Sequence, residues 1–339
     1  MIRCKNLSRT IFLTCLLMVT GLPVLVMADE NPDSCAAITD DKARLNCYDE
    51  KARLKPEVSA DSEKATAMTQ ESQKQISYLS KKWQLDEESR KNPFAIMTHR
   101  ANYILLLDYN FNPNTEPYKK AFPNFDMQNE EVKFQLSLKV KLWESMFKSK
   151  ADLWFGYTQL SFWQLYNTSE SCPFLETNYE PEILINYRMD ADIFGIMRNR
   201  FIQVGFDHQS NGLGGSLSRS WNRIVANFGF ERGPFDLVLK TWLRIPENED
   251  DDDNPDIIDY LGHGEIVMGY HYKDWAVGLM FRNNLKLNDN RSGLELDLSF
   301  PLVHSINGYV QYFAGYGQSL IDYDHFDNSL GIGVIVKDW

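Results

Sequence analysis

The sequence predicts an all-β protein: an antiparallel, up-and-down transmembrane β-barrel of about twelve strands, preceded by a short polar N-terminal extension. Three observations predict it. Segments alternate apolar and polar residues with period 2, they are long enough to cross a bilayer, and the links between them alternate in length.

The clearest segment is 133–142, where Phe134, Leu136, Leu138, Val140 and Leu142 alternate with Lys133, Gln135, Ser137, Lys139 and Lys141. Alternate residues on a strand share a face, so one face is apolar and the other polar. A tilted strand needs about 9–11 residues to span a bilayer, whereas soluble strands average about 5–6. In chain order, strands are expected near 101–110, 133–142, 151–160, 182–190, 200–210, 218–229, 235–244, 259–270, 275–283, 293–300, 306–315 and 329–338. Ile183, Ile185, Tyr187 and Met189 give the fourth its apolar face, and Leu294, Leu296, Leu298 and Phe300 give the tenth its own. Long polar links fall at 111–132, 161–181, 211–217, 245–258, 284–292 and 316–328. Short ones fall at 143–150, 191–199, 230–234, 271–274 and 301–305. Outer-membrane barrels arrange long outside loops and short periplasmic turns in this order. A soluble β-sandwich has no reason to alternate its loop lengths. Trp339 ends the chain on an aromatic residue, as such barrels often do.

Composition bounds the alternatives. The chain has 339 residues, 24% of them charged, and a mean hydropathy of −0.39. Its one long apolar run, Ile11 to Met27, excludes a protein of many membrane helices. A barrel keeps its average polar because each strand turns alternate residues into the lumen. Aromatic residues, at 13%, suit girdles at the two membrane interfaces. The net charge of −12 argues against nucleic acid, whose phosphates need a basic surface.

The start reads as a signal peptide over 1–28, with Arg3, Lys5 and Arg9 before the apolar run and Val26-Met27-Ala28 closing it. Thr14, Thr20, Gly21 and Pro23 inside the run speak against a retained anchor. Residues 29–95 are polar and lack period 2, as a periplasmic extension that is partly helical or disordered would be. The barrel is expected over 96–339. Cys35 and Cys47 could form a disulfide in an oxidising periplasm, while Cys172 stands alone. No closely spaced Cys/His set suggests a transition-metal site.

The chemistry concentrates at Phe206 to Gly212. His208 and Ser210 lie two apart at the end of a strand, so they share a face. That face continues Ile202, Val204 and Phe206, which makes it the lipid-facing one. A turn centred near Gly215 would set His208 opposite Asn222, whose own stripe runs through Ile224, Ala226 and Phe228. Imidazole, hydroxyl and amide would then meet at the top of an apolar wall. A nucleophile, a base and a group orienting the base make a triad. The bland alternative is a set of rim hydrogen bonds. Asn holds an imidazole without adding charge, so stabilisation must come from elsewhere.

The stretch Asp207 to Gly212 (DHQSNG), followed by Ser218 to Arg223 (SRSWNR), resembles the active-site hairpin of outer-membrane phospholipase A. Glu131 to Leu138, Tyr157 to Gln159, Trp163 to Leu165, Glu176 to Pro181, Asp253 to Ile257 and Ser319 to Tyr323 are similar to the same family, in order, across roughly 92–339. The resemblance implies a twelve-stranded barrel of the bacterial outer membrane that dimerises and hydrolyses phospholipid acyl esters with calcium (Ca2+). It implies Ser210 as nucleophile, His208 as general base, Asn222 as orienter and the Gly212 N–H in the oxyanion hole. The calcium ligands it implies are the Ser218 side chain, the Leu213 carbonyl and Ser171 from a second copy. Gln159 matches a polar residue of the family's dimer interface. Two departures stand out: Leu213 replaces a basic residue common there, and Gly215 replaces an aspartate, which puts a second calcium site in doubt.

The acidic run Glu247 to Asp253 lacks the spaced pattern of an EF-hand and reads as a solvated outside loop. The main rival is a non-enzymatic porin or transporter, whose polar cluster would lie in the lumen. Lys133, Lys139, Arg188, Asp190 and Asp297 include both signs and suggest a salt-bridged, closed interior.

Overall fold

The computed structural model describes residues 39–40, 42–44, 76–303 and 305–336. The described residues fall into two units, 39–44 in one and 76–336 in the other. In the first, the described residues make a helical turn at 42–44, where Asp40 Oδ1 accepts from the Ala43 N–H at 2.8 Å. The expected signal peptide, the Cys35–Cys47 pair and Trp339 lie outside the described residues.

Among the described residues, the second unit carries thirteen strands: β1 (Ile96–Thr98), β2 (Asn102–Asn110), β3 (Glu130–Trp143), β4 (Ala151–Trp163), β5 (Phe174–Ile193), β6 (Met197–Ser210), β7 (Ser220–Arg232), β8 (Phe235–Ile245), β9 (Gly264–Tyr272), β10 (Trp275–Asn283), β11 (Ser292–Val303), β12 (Ile306–Tyr316) and β13 (Phe326–Val336). From β2 to β13 each strand pairs antiparallel with the next, and β13 pairs with β2. The sheet is a closed barrel of twelve strands with one extra. β1 extends the β2 side of the wall, pairing Ile96 with Val140 and Thr98 with Leu138 on β3. Between them the chain leaves the ladder. Arg100 N donates to Ser137 Oγ at 2.9 Å, and Ser137 N donates to Asn102 Oδ1 at 2.7 Å.

Long links, 111–129, 164–173, 211–219, 246–263, 284–291 and 317–325, gather at one rim; 144–150, 194–196, 233–234 and 273–274 are the short turns of the other. Most expected strands start within three residues of the observed ones, and two start further away. β5 starts at Phe174, not 182, because its ladder with β4 continues to Trp163. β9 starts at Gly264, not 259, because Ile257–Leu261 forms a short helix ended by Gly262 at φ 65°.

The barrel is apolar outside and polar inside. Val204 (51%), Phe206 (43%) and Ile224 (49%) are exposed, whereas Lys133 and Lys139 are each 1% exposed. That inverts a soluble protein and suits hydrocarbon around the wall. No helix among the described residues is long and apolar enough to cross a membrane.

The lumen is filled. Helix α1 (Tyr78–Trp83) buries Leu79 and Trp83; Trp83 meets Trp154 edge-on at 5.6 Å, and Lys139 Nζ lies 3.7 Å from the Trp83 ring centre. Ser77 caps this helix by accepting from Ser80 N, and Arg200 bonds Asp86 just beyond it at 2.8 Å. At mid-lumen, Arg100 binds Glu180 through two bonds of 2.7 and 2.8 Å, and Arg223 reaches Glu180 and Asp207, each at 2.9 Å. Asp190 departs from the expected interior set: it is exposed at the rim and paired with Arg198. A polar cavity of about 110 Å³ remains between these charges. Toward the long-loop rim, Trp221, Trp242, Leu261 and Leu320 close over it.

Candidate active site

The β6–β7 hairpin brings the predicted residues together by its register. His208 pairs with Asn222, and Ser210 pairs with Ser220 on one side and Tyr179 on the other. Asp207 and Arg223 point into the lumen and are buried, so their neighbours His208 and Asn222 point outward with Phe206 and Ile224. His208 Nδ1 lies 2.9 Å from Asn222 Oδ1. An amide oxygen only accepts, so Nδ1 carries the proton in this contact, and in the neutral ring that leaves the lone pair on Nε2. Ser210 stands on the same outward stripe and makes no hydrogen bond to the ring in this structure. Catalytic bonds of this kind commonly tighten only with substrate bound.

Past Ser210 the chain turns sharply. Gly212 has φ 65°, and a Cβ there would sit 3.2 Å from Tyr179 Cε2. Asn211 organises the turn: its Oδ1 accepts from Leu213 N at 3.2 Å and Arg219 N at 3.0 Å, and its Nδ2 donates to Leu217 O at 2.8 Å. Gly215 (φ 64°) opens a 3-10 turn at Gly215–Leu217 and brings no carboxylate. Ser218 Oγ donates to Asp253 Oδ2 at 2.6 Å. Ser171 is exposed in the 164–173 link with φ 63°. Gln159 lies half-buried on β4 among the outward Leu153, Phe155 and Tyr157, and donates to Ser161 Oγ at 3.2 Å.

The acidic run is only partly a solvated loop. Glu247 Oε1 accepts from Asn222 Nδ2 at 2.8 Å, Asp252 binds Arg244 at 2.5 Å, and Asp253 meets Ser218; Glu249 and Asp250 between them are exposed. Composition could not find these contacts. The pairing of Asn222 with Ile245 could, since it sets the residues just past β8 over the site. Tyr323 donates to Asp256 at 2.6 Å and fastens the same loop to the 317–325 link. Burial, with that bond to a carboxylate, pushes the Tyr323 phenol well above its ordinary range.

One cluster of carboxylates could invite a cation among the described residues: Glu180, Glu182 and Asp207, with oxygens within 4.8 Å of one another. Arg100, Arg223 and His99 already meet them, the last at 2.6 Å from Glu182. Guanidinium groups take the place a metal would need. The cluster cements the lumen.

Fold and site define a membrane-spanning barrel that carries serine, imidazole and amide on its lipid-facing wall. The phospholipase A1 family model matches residues 79–336, and the chain belongs to this family. The putative phospholipase A1 of Neisseria meningitidis serogroup B is 34% identical, covering 95% of each chain. The phospholipase A1 of Escherichia coli K12 is 36% identical over 74% of this chain and 84% of its own. The solved outer membrane phospholipase A of E. coli superposes with a TM-score of 0.68 at 35% identity, covering 74% of this chain and 94% of that one. A Salmonella typhi outer membrane phospholipase, solved as a dimer with bound calcium, gives 0.68 at 34% identity, covering 75% and 95%. The chain is a phospholipase enzyme of the outer membrane.

Proposed function

We propose that the protein hydrolyses phospholipid acyl esters, at the first and second positions and in lysophospholipids, through Ser210, His208 and Asn222. It does so with calcium, as a homodimer, with the site facing the outer leaflet. The observation that carries this reading is the 2.9 Å contact of His208 Nδ1 with Asn222 Oδ1 on the exposed wall. It leaves Nε2 free to act as a base on the side where lipid lies.

Ser210 Oγ attacks the ester carbonyl carbon while His208 Nε2 takes the hydroxyl proton. The carbonyl oxygen becomes an oxyanion, and the Gly212 N–H donates to it. His208 returns the proton to the departing alkoxide, and the acyl chain stays on Ser210. Water then attacks the acyl-enzyme carbonyl as His208 takes its proton, the bond to Ser210 Oγ breaks, His208 returns the proton to that oxygen, and the fatty acid leaves. Asn222 keeps the ring in the required tautomer throughout.

The donors present fit calcium: the Ser218 hydroxyl, already 2.6 Å from the Asp253 carboxylate, and the Leu213 carbonyl are hard oxygens. Ser171 from a second copy would complete the set, and an ion held there would supply the positive charge for stabilising an oxyanion that a neutral asparagine cannot. The site opens on a flat wall rather than into the lumen cavity, so a second barrel against it would form the acyl groove. Gln159, polar on an apolar face, is the residue to meet its counterpart there. Support also comes from relatives: one solved E. coli structure is an active-site mutant with an asparagine changed to alanine.

The test is fatty-acid release from phospholipid in detergent micelles, with calcium or with a chelator. Release is expected only with calcium, and Ser210→Ala should lower it about a thousandfold or more while keeping the heat-shifted gel mobility of a folded barrel. Undiminished release by Ser210→Ala would overturn the assignment.

A further inference from the structure

We propose that Glu247 is a positioning residue of this site, holding the Asn222 amide in the one orientation that lets His208 act as a base. The inference rests on the Ser210–His208–Asn222 reading and adds a fourth member to it. An asparagine amide has two ends of nearly equal shape and opposite hydrogen-bonding character. Packing alone distinguishes them poorly. Here each end has one partner: Oδ1 lies 2.9 Å from His208 Nδ1, and Nδ2 donates to Glu247 Oε1 at 2.8 Å.

A carboxylate accepts and does not donate, so only the amide nitrogen can face it. A flipped amide would press oxygen against the Glu247 carboxylate and offer an N–H to His208 Nδ1. The ring would then accept at Nδ1 and carry its proton on Nε2, where it could not take the Ser210 proton. Glu247 therefore selects the productive tautomer at one remove. A bond to a charged acceptor is also stronger than one between neutral groups.

The position of Glu247 does not depend on this bond. Asn222 pairs with Ile245, the last residue of β8, so the chain leaving β8 passes over the amide. The same link is fastened independently, by Asp252 to Arg244 at 2.5 Å and by Asn254 Oδ1 accepting from Ser220 N at 2.9 Å. Removing the Glu247 carboxylate should leave the loop in place.

The experiment measures calcium-dependent hydrolysis of phosphatidylcholine in mixed micelles by the full chain. It compares the unaltered protein, Glu247→Ala, Glu247→Gln, Asn222→Ala and the double variant Asn222→Ala/Glu247→Ala. Glu247→Ala should lower kcat about tenfold, with KM within about twofold because the substrate is not touched. Glu247→Gln, which keeps an accepting oxygen for Nδ2, should recover at least half of the loss. In the Asn222→Ala background, Glu247→Ala should cost nothing further. An unchanged kcat in Glu247→Ala, no recovery in Glu247→Gln, or a second full loss in the double variant each overturns the proposal. Activity persisting in Ser210→Ala would instead remove the underlying reading, so the two failures are distinguishable.

Discussion

Asn222 sits between a ring nitrogen and a carboxylate, and its chemistry depends on which end of its amide faces which. It orients and does not bond to substrate, so Asn222→Ala should reduce kcat by roughly ten- to a hundredfold, less than loss of the nucleophile. Equal losses in Asn222→Ala and Ser210→Ala, measured in one micelle assay, would give Asn222 a different task. Ser171→Ala should raise the calcium concentration needed for half-maximal activity; an unchanged calcium titration takes Ser171 out of the metal site. At this scale His208, Ser210 and Asn222 were legible because the two-residue strand period and the glycine turn together fix a register. Glu247 and Asp253 were not. An acidic run has the same composition whether water or a side chain meets each carboxylate.

The hairpin turn at 211–219 is where local backbone and catalysis meet. Gly212 holds φ 65°, a conformation costing an L-residue about 1–2 kcal/mol, and the space beside it ends at Tyr179, 3.2 Å from where a Cβ would sit. Gly212→Ala should therefore shift the backbone N–H and cost activity more than stability. Hydrolysis rate and thermal unfolding, followed together on the same preparation, test this; equal activity in the variant would take that N–H out of the oxyanion hole. The strands around the turn were legible to within a few residues wherever period 2 was clean. The break between β1 and β2 was not, because it is set by Ser137 and Asn102 exchanging bonds with the chain, and by acids on β5 that attract His99 and Arg100 inward. Nor was helix α2 (Ile257–Leu261) legible, since five residues carry too little periodicity to separate helix from strand.

As a whole, the barrel is a wall around a plug and not a pore. Trp83, Leu79 and the cation over the Trp83 ring fill the lumen near one end, charged pairs fill the middle, and Trp221 and Trp242 close toward the other. Reconstituted into a planar bilayer, the protein should show no steady ion conductance. A stable open channel would favour a porin role after all. Trp83→Ala removes a buried indole and its contacts with Trp154, Phe201 and Lys139. It should lower stability by about 3 kcal/mol, seen as a lower temperature for the gel-mobility shift, while hydrolysis per folded molecule stays unchanged.

The sequence by itself determined the barrel, its strand directions and the stripe on which the reactive side chains stand. These follow from a side-chain period of two, which one chain expresses without knowing its distant partners. Tertiary structure alone decided what those side chains touch: the Glu247 carboxylate behind the Asn222 amide, Asp253 beside Ser218, and the arginines that neutralise the buried acids. Such contacts join residues far apart in sequence. They arise only when strand closure and loop packing bring charges close enough for burial to make pairing compulsory.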